Sequence, residues 1–146
     1  MSQRGFTLIE AMIVVAIISI LIAIAEPNYA RTLEAYQTRA VANELYTDIY
    51  WAKEEAIKRG NSVKVNFTST GWQITLADGT RIKSYVTPYT KVGLSGDTGF
   101  TFDSVRGLTN ANVVSVAAAA GTVTLSVVAL GYADICSNDI GGFHKC

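Results

Sequence analysis

The sequence predicts an α+β fold: one long N-terminal helix followed by a small antiparallel β-sheet packed on its second half. Three observations lead there. Residues 6–25 form an apolar run with a single charge, Glu10. From Pro27 to Arg59 apolar residues recur three to five apart, the spacing of an amphipathic helix. After Gly60 short runs alternate apolar and polar, as half-buried strands do.

The apolar run comes first. Its 20 residues would span about 30 Å as a helix, the thickness of a hydrocarbon core. Residues 6–27 are therefore expected to cross a membrane. The basic head around Arg4 favours a cytoplasmic N-terminus. A secretory signal does not fit, because the polar head precedes the apolar run and no small-residue cleavage site follows it.

Residues 28–60 continue the helix into a globular domain. Leu33, Tyr36, Ala40, Leu45, Ile49, Ala52 and Ala56 are expected to face the sheet. Lys58 and Arg59 suit the C-terminal dipole, and Gly60 can supply a left-handed cap. Pro27 removes one backbone bond and predicts a kink rather than a break.

Residues 61–146 read as the β domain. Strands are expected at 63–67, 72–76, 80–86, 100–102, 110–118 and 122–130. Asp78-Gly79 and Ala120-Gly121 are their turn signals. The stretches 88–99 and 131–146 read as loop and tail. Cys136 and Cys146, with nine residues between them at the tail, predict a local disulfide and hence an oxidising compartment. Closing that loop would stabilise by about 3 kcal/mol in the chain-entropy view.

Composition argues against several functions. The 12 basic and 12 acidic residues balance, with no basic block to hold nucleic acid. His144 with the two cysteines lacks both the tight pairing and the fourth ligand of a zinc site. No nucleophile lies in a recognisable turn, and the one histidine has no evident carboxylate partner, so neither an enzyme nor a cofactor is expected.

Glu10 is the anomaly. A charge at a helix centre in the bilayer costs about 2.5–3.5 kcal/mol, and less near the interface. One reading is a carboxylate tolerated close to the headgroups. The other is a charge matched by a cation. If the head is cut after Gly5, Phe6 gains an α-amine, which can attract Glu10 of the same chain or of a neighbour.

The stretch Arg4-Gly5-Phe6-Thr7-Leu8-Ile9-Glu10, with the apolar run and Pro27, resembles the N-terminal signature of type IV pilins and pseudopilins. The resemblance implies a leader of residues 1–5, cleaved between Gly5 and Phe6 by a prepilin peptidase, and N-methylation of Phe6. It also implies insertion in a bacterial inner membrane, with the C-terminal domain periplasmic. An inner-membrane platform would then assemble the apolar stems into a filament with other pilin subunits. Glu10 would act as the docking charge for a neighbour's Phe6 amine.

A second likeness narrows this. Trp51-Ala52-Lys53-Glu54-Glu55-Ala56-Ile57-Lys58-Arg59-Gly60, the strand Ser62-Val63-Lys64-Val65, and the segment 100–107 are similar to the GspH/FimT family. That family holds minor pilins and the H-type pseudopilin of type II secretion. It implies a structural subunit; the Cys136–Cys146 pair resembles the disulfide-closed C-terminal loop common in pilins, which favours a minor pilin that helps initiate or cap a type IV pilus over a pseudopilin. DNA-binding members carry a Gly-Arg-x-Arg pattern where this chain reads Gly131-Tyr132-Ala133-Asp134. Arg81, Lys83, Lys91 and Arg106 are left as a scattered basic set, so nucleic acid is not an expected partner.

Overall fold

The computed structural model describes residues 6–96 and 99–146. Helix α1 (Leu8–Arg59) is followed by eight strands: β1 (Val63–Thr68), β2 (Gly71–Leu76), β3 (Arg81–Val86), β4 (Gly93–Gly96), β5 (Gly99–Phe102), β6 (Asn112–Ala118), β7 (Gly121–Val127) and β8 (Ala133–Cys136). The chain divides into two compact units, with the boundary between Leu33 and Glu34 inside α1.

The helix is built as its ends dictate. Thr7 is the N-cap: its Oγ1 accepts from the Glu10 N–H at 3.3 Å, and its carbonyl accepts from the Ala11 N–H at 3.2 Å. At the other end Gly60 sits at φ 60°. The Gly60 N–H donates to Ile57 O and the Asn61 N–H to Ala56 O, a Schellman closure. Pro27 lies within the helix, which continues on both sides of it.

The second unit holds two four-stranded antiparallel sheets where the sequence suggested one. Their orders are β3-β2-β1-β5 and β4-β6-β7-β8. Two strands escaped the sequence reading. Strand β4 carries two glycines in four residues, so its local signal is that of a loop, and pairing with β6 makes it a strand. Strand β8 lies in the tail and forms by pairing with β7. Leu94 of β4 donates its N–H to Ser69 O at 3.0 Å, tying the second sheet to the β1–β2 turn.

Some boundaries also move. Strand β3 begins at Arg81, because the Leu76 N–H bonds Thr80 O and makes residues 77–79 the loop, with Gly79 at φ 87°. Asp78 accepts the Thr80 N–H at 2.8 Å, which holds its carboxyl below the usual range. Strand β7 stops at Val127, because the Gly131 N–H closes a turn onto Val128 O.

The core lies between the back half of α1 and the inner faces of both sheets. Leu45, Ile49, Ala52 and Ala56 meet Val65, Trp72, Ile74 and Phe102 of the first sheet and Val114, Val116, Val123 and Leu125 of the second. Each such side chain contributes about 1.5–3 kcal/mol on burial, less for alanine.

The first half of the expected helix stripe is wrong. Leu33, Tyr36 and Ala40 are exposed, and Glu34, Thr38 and Val41 are buried in their place. Two carboxylates on the inner face, at Glu34 and Asp48, have basic partners from outside the helix, Lys91 in the loop before β4 and Lys83 in β3, so polarity there is no guide to exposure. Lys91 reaches Glu34 at 2.8 Å. Asp48 is paired with Lys83 and accepts the Trp72 Nε1–H at 2.8 Å. A third, Glu55, is paired with Arg59 of the helix itself.

Candidate assembly site

The first unit, to Leu33, presents apolar side chains with nothing packed on them. An 18-residue window of α1 has a mean hydropathy of 2.9, and none of it is buried. Ser19, the one polar residue from Ala11 to Ala25, donates its hydroxyl to Val15 O at 2.8 Å. Just beyond, Thr32 donates to Asn28 O at 2.9 Å in the same way. These two hydroxyls thus satisfy themselves on their own helix, the condition for a surface facing lipid or other helices.

Phe6 is exposed just ahead of the helix, and Glu10 is exposed in its first turn. Gly5, the residue before the expected cut, lies outside the described residues. Among the described residues Glu10 makes no ion pair. Its position has a local reason that the sequence reading missed. Thr7-Leu8-Ile9-Glu10 is the S/T-x-x-E pattern of a capping box, and the Thr7 half of that box is present. A carboxylate in the first turn also suits the helix dipole by about 0.3–1 kcal/mol. Neither effect needs that carboxylate to lie inside a hydrocarbon run, so the expense of placing it there still asks for a partner.

The other candidate residues lie in the second unit. Cys136 and Cys146 form a disulfide. The loop it closes is also held from α1, where Arg39 donates to the Gly141 carbonyl and lies over the rings of Tyr36 and Phe143. Tyr50 Oη donates to Ala133 O at 3.2 Å, and Lys53 Nζ donates to Gly131 O at 3.2 Å.

The scattered basic set does not come together as a free surface. Lys83 is taken up by Asp48 and lies 3.7 Å from Glu44; the hydrogen bond to Asp48 is the main reason its ammonium is held above the usual lysine range. Lys91 is taken up by Glu34. Arg81 and Arg106 are exposed. Where a Gly-Arg-x-Arg pattern would fall, Asp134 is exposed and lies 3.3 Å from His144 Nε2.

A bare apolar stem, a capped start with a lone carboxylate, and a two-sheet head stapled at its C-terminus define a pilin-like subunit. The comparisons agree. The family described as "Type II transport protein GspH" matches residues 41–134, and the prokaryotic N-terminal methylation motif matches residues 1–25. The chain belongs to the GspH family. The type IV major alpha-pilin of Moraxella bovis is 57% identical over 44 residues, which are 30% of this chain and 28% of that one. A fimbrial protein of Pseudomonas aeruginosa is 49% identical over 63 residues, 42% of this chain and 40% of that one. The chain thus covers less than half the length of these relatives.

Solved structures share the fold. The type IV minor pilin FimU of Pseudomonas aeruginosa superposes with a TM-score of 0.60 at 16% identity, over 70% of this chain and 90% of that one. The minor pseudopilin EpsH of the Vibrio cholerae type 2 secretion system gives 0.57 at 13% identity, over 69% and 97%.

Proposed function

We propose that the chain is a structural subunit, of the minor kind, in a type IV pilus. The observation that carries this reading is the stem, an apolar helix with no part buried by its own chain and a carboxylate near its start. In this reading residues 1–5 are a leader that a prepilin peptidase removes between Gly5 and Phe6, and Phe6 is then N-methylated. Residues 6–27 hold the subunit in the bacterial inner membrane, with the N-terminus cytoplasmic and the head periplasmic, until a membrane platform moves it into the filament. Pro27 kinks the rod at the end of that segment. Residues 28–60 and 61–146 form the head.

Glu10 does the docking. Within a bundle of apolar stems its charge is unfavourable unless matched, and the new amine of a neighbour's Phe6 matches it. The pair forms only between subunits set at the right stagger, so it selects register as well as association. Glu10→Ala should leave the protein in the membrane and sharply reduce its content in sheared filaments, as read by immunoblot of both fractions. Undiminished filament content would contradict the docking role.

A second reading has its own support. The matched family is described by type II transport, and EpsH shares the fold at a TM-score close to that of FimU. The same stem mechanics would then build a secretion pseudopilus. The assembly genes beside its own separate the two: pilus biogenesis genes support the first, secretion genes the second. A DNA-binding role has less support, since Lys83 and Lys91 are already committed to carboxylates.

A further inference from the structure

At the end of the first sheet, where β1 pairs with β5, a cleft of about 300 Å³ opens to solvent. It is lined by Ser62, Thr101, Asp103, Leu108, Thr109 and Asn110. Two hydroxyl-bearing residues, Ser62 and Thr101, a carboxylate and an amide thus line the cleft beside one apolar wall. The walls are held in place by their own backbone. The Asp103 N–H donates to Leu108 O at 2.8 Å, the Gly107 N–H to Asp103 O at 3.1 Å, and the Thr109 N–H to Ala129 O at 3.0 Å. Asp103 Oδ2 accepts the Arg106 N–H at 3.3 Å, and Gly107 makes the turn at φ 62°. Thr109 Oγ1 is buried and has no hydrogen-bond partner in the described structure.

The lining selects among ligands. An anion would meet Asp103 and no cation, because neither lysine nor arginine lines the cleft. Calcium takes six to eight oxygens and favours several carboxylates, whereas one carboxylate lines this cleft. A nucleobase would find no aromatic ring to stack on. A sugar ring fits each feature. Its vicinal hydroxyls donate and accept together, matching a carboxylate, an amide and the hydroxyls of Ser62 and Thr101, and its C–H face can lie on Leu108.

We propose that this cleft binds one monosaccharide unit of a glycan. The proposal rests on the cleft alone and stands whether the subunit belongs to a pilus or a pseudopilus.

The test is saturation-transfer NMR on the full chain in a zwitterionic, sugar-free detergent. The probes are methyl glycosides of glucose, galactose, mannose and the N-acetylated hexosamines. At least one probe should show transfer with millimolar affinity. Asp103→Asn, which keeps the size of the side chain, and Asn110→Ala, at an exposed position, should each weaken it about 10-fold or more. Asp134→Asn, outside the cleft, should leave it unchanged. Circular dichroism melts matching the parent's would show that the variants remain folded. The proposal is overturned if no probe shows transfer, if transfer survives both cleft variants, or if calcium alone shifts the cleft amides while sugars do not.

Discussion

The two halves of α1 treat polarity in opposite ways. Up to Leu33 the helix exposes isoleucines, valines and leucines and buries nothing; from Glu34 onward it buries Glu34, Asp48 and Glu55 beside Leu45 and Ile49, and exposes Tyr36. One continuous element therefore has an apolar surface where no partner is present and charge in its interior where partners are. Hydropathy reports how a residue interacts with water, and burial reports what the rest of the chain supplies. The halves differ in what is supplied. The first sheet brings Lys83 and the Trp72 indole to the back half and the loop before β4 brings Lys91, whereas the front half awaits lipid or other stems.

Breaking the internal pairing should have the largest effect. Asp48→Ala would leave the buried Trp72 N–H without an acceptor, at about 1–3 kcal/mol, while the Lys83 ammonium can turn to water. Denaturant unfolding of the head, followed by the fluorescence of Trp51 and Trp72, should report a loss in that range. An unchanged midpoint would mean that Asp48 is a passenger.

The next effect depends on pH. Lys83 is held above the usual lysine range chiefly by its hydrogen bond to Asp48. A group raised on folding stabilises fully below its unfolded value, about 10.4 for lysine, and that contribution is lost as the pH climbs through the folded value. Tyr46, raised chiefly by the adjacent Tyr50 hydroxyl, and half-buried Tyr85, raised chiefly by its partial removal from water, act in the same sense. Stability should therefore fall above about pH 10, and Lys83→Met should flatten that fall. A parallel slope in parent and variant would remove Lys83 from the account.

The smallest effect tests the exposed side of the back half. Tyr36→Ala, a large change at a position that is 62% exposed, should shift stability by no more than about 0.5 kcal/mol. A core-sized loss there would restore the stripe drawn from periodicity.

What the sequence disclosed follows the same division. Local chemistry was legible: the Gly60 cap, the loop at Asp78-Gly79 and the apolar run all act within a few residues of themselves. Elements that exist through distant partners were not. Strand β4 needs β6, β8 needs β7, and the inward carboxylates Glu34 and Asp48 need lysines 57 and 35 positions away. The stripe at Leu33, Tyr36 and Ala40 failed for that reason. The Thr7 cap could have been found, since a threonine three residues before a glutamate at the start of an apolar run is a local signal. Of the candidate assembly residues, Glu10 stood out as a single carboxylate in a hydrocarbon run, whereas Phe6 was named through the resemblance to pilins and Pro27 through its missing N–H. The commitment of Lys83 and Lys91 to carboxylates was visible only in three dimensions.

The front half makes its own claim, that the missing partner of Glu10 is an amine exposed by proteolysis. Mass spectrometry of the chain recovered from sheared filaments tests it most directly. The account predicts an N-terminal peptide beginning at Phe6 and bearing one extra methyl group. A filament-borne chain that still carries Met1 to Gly5 would contradict it.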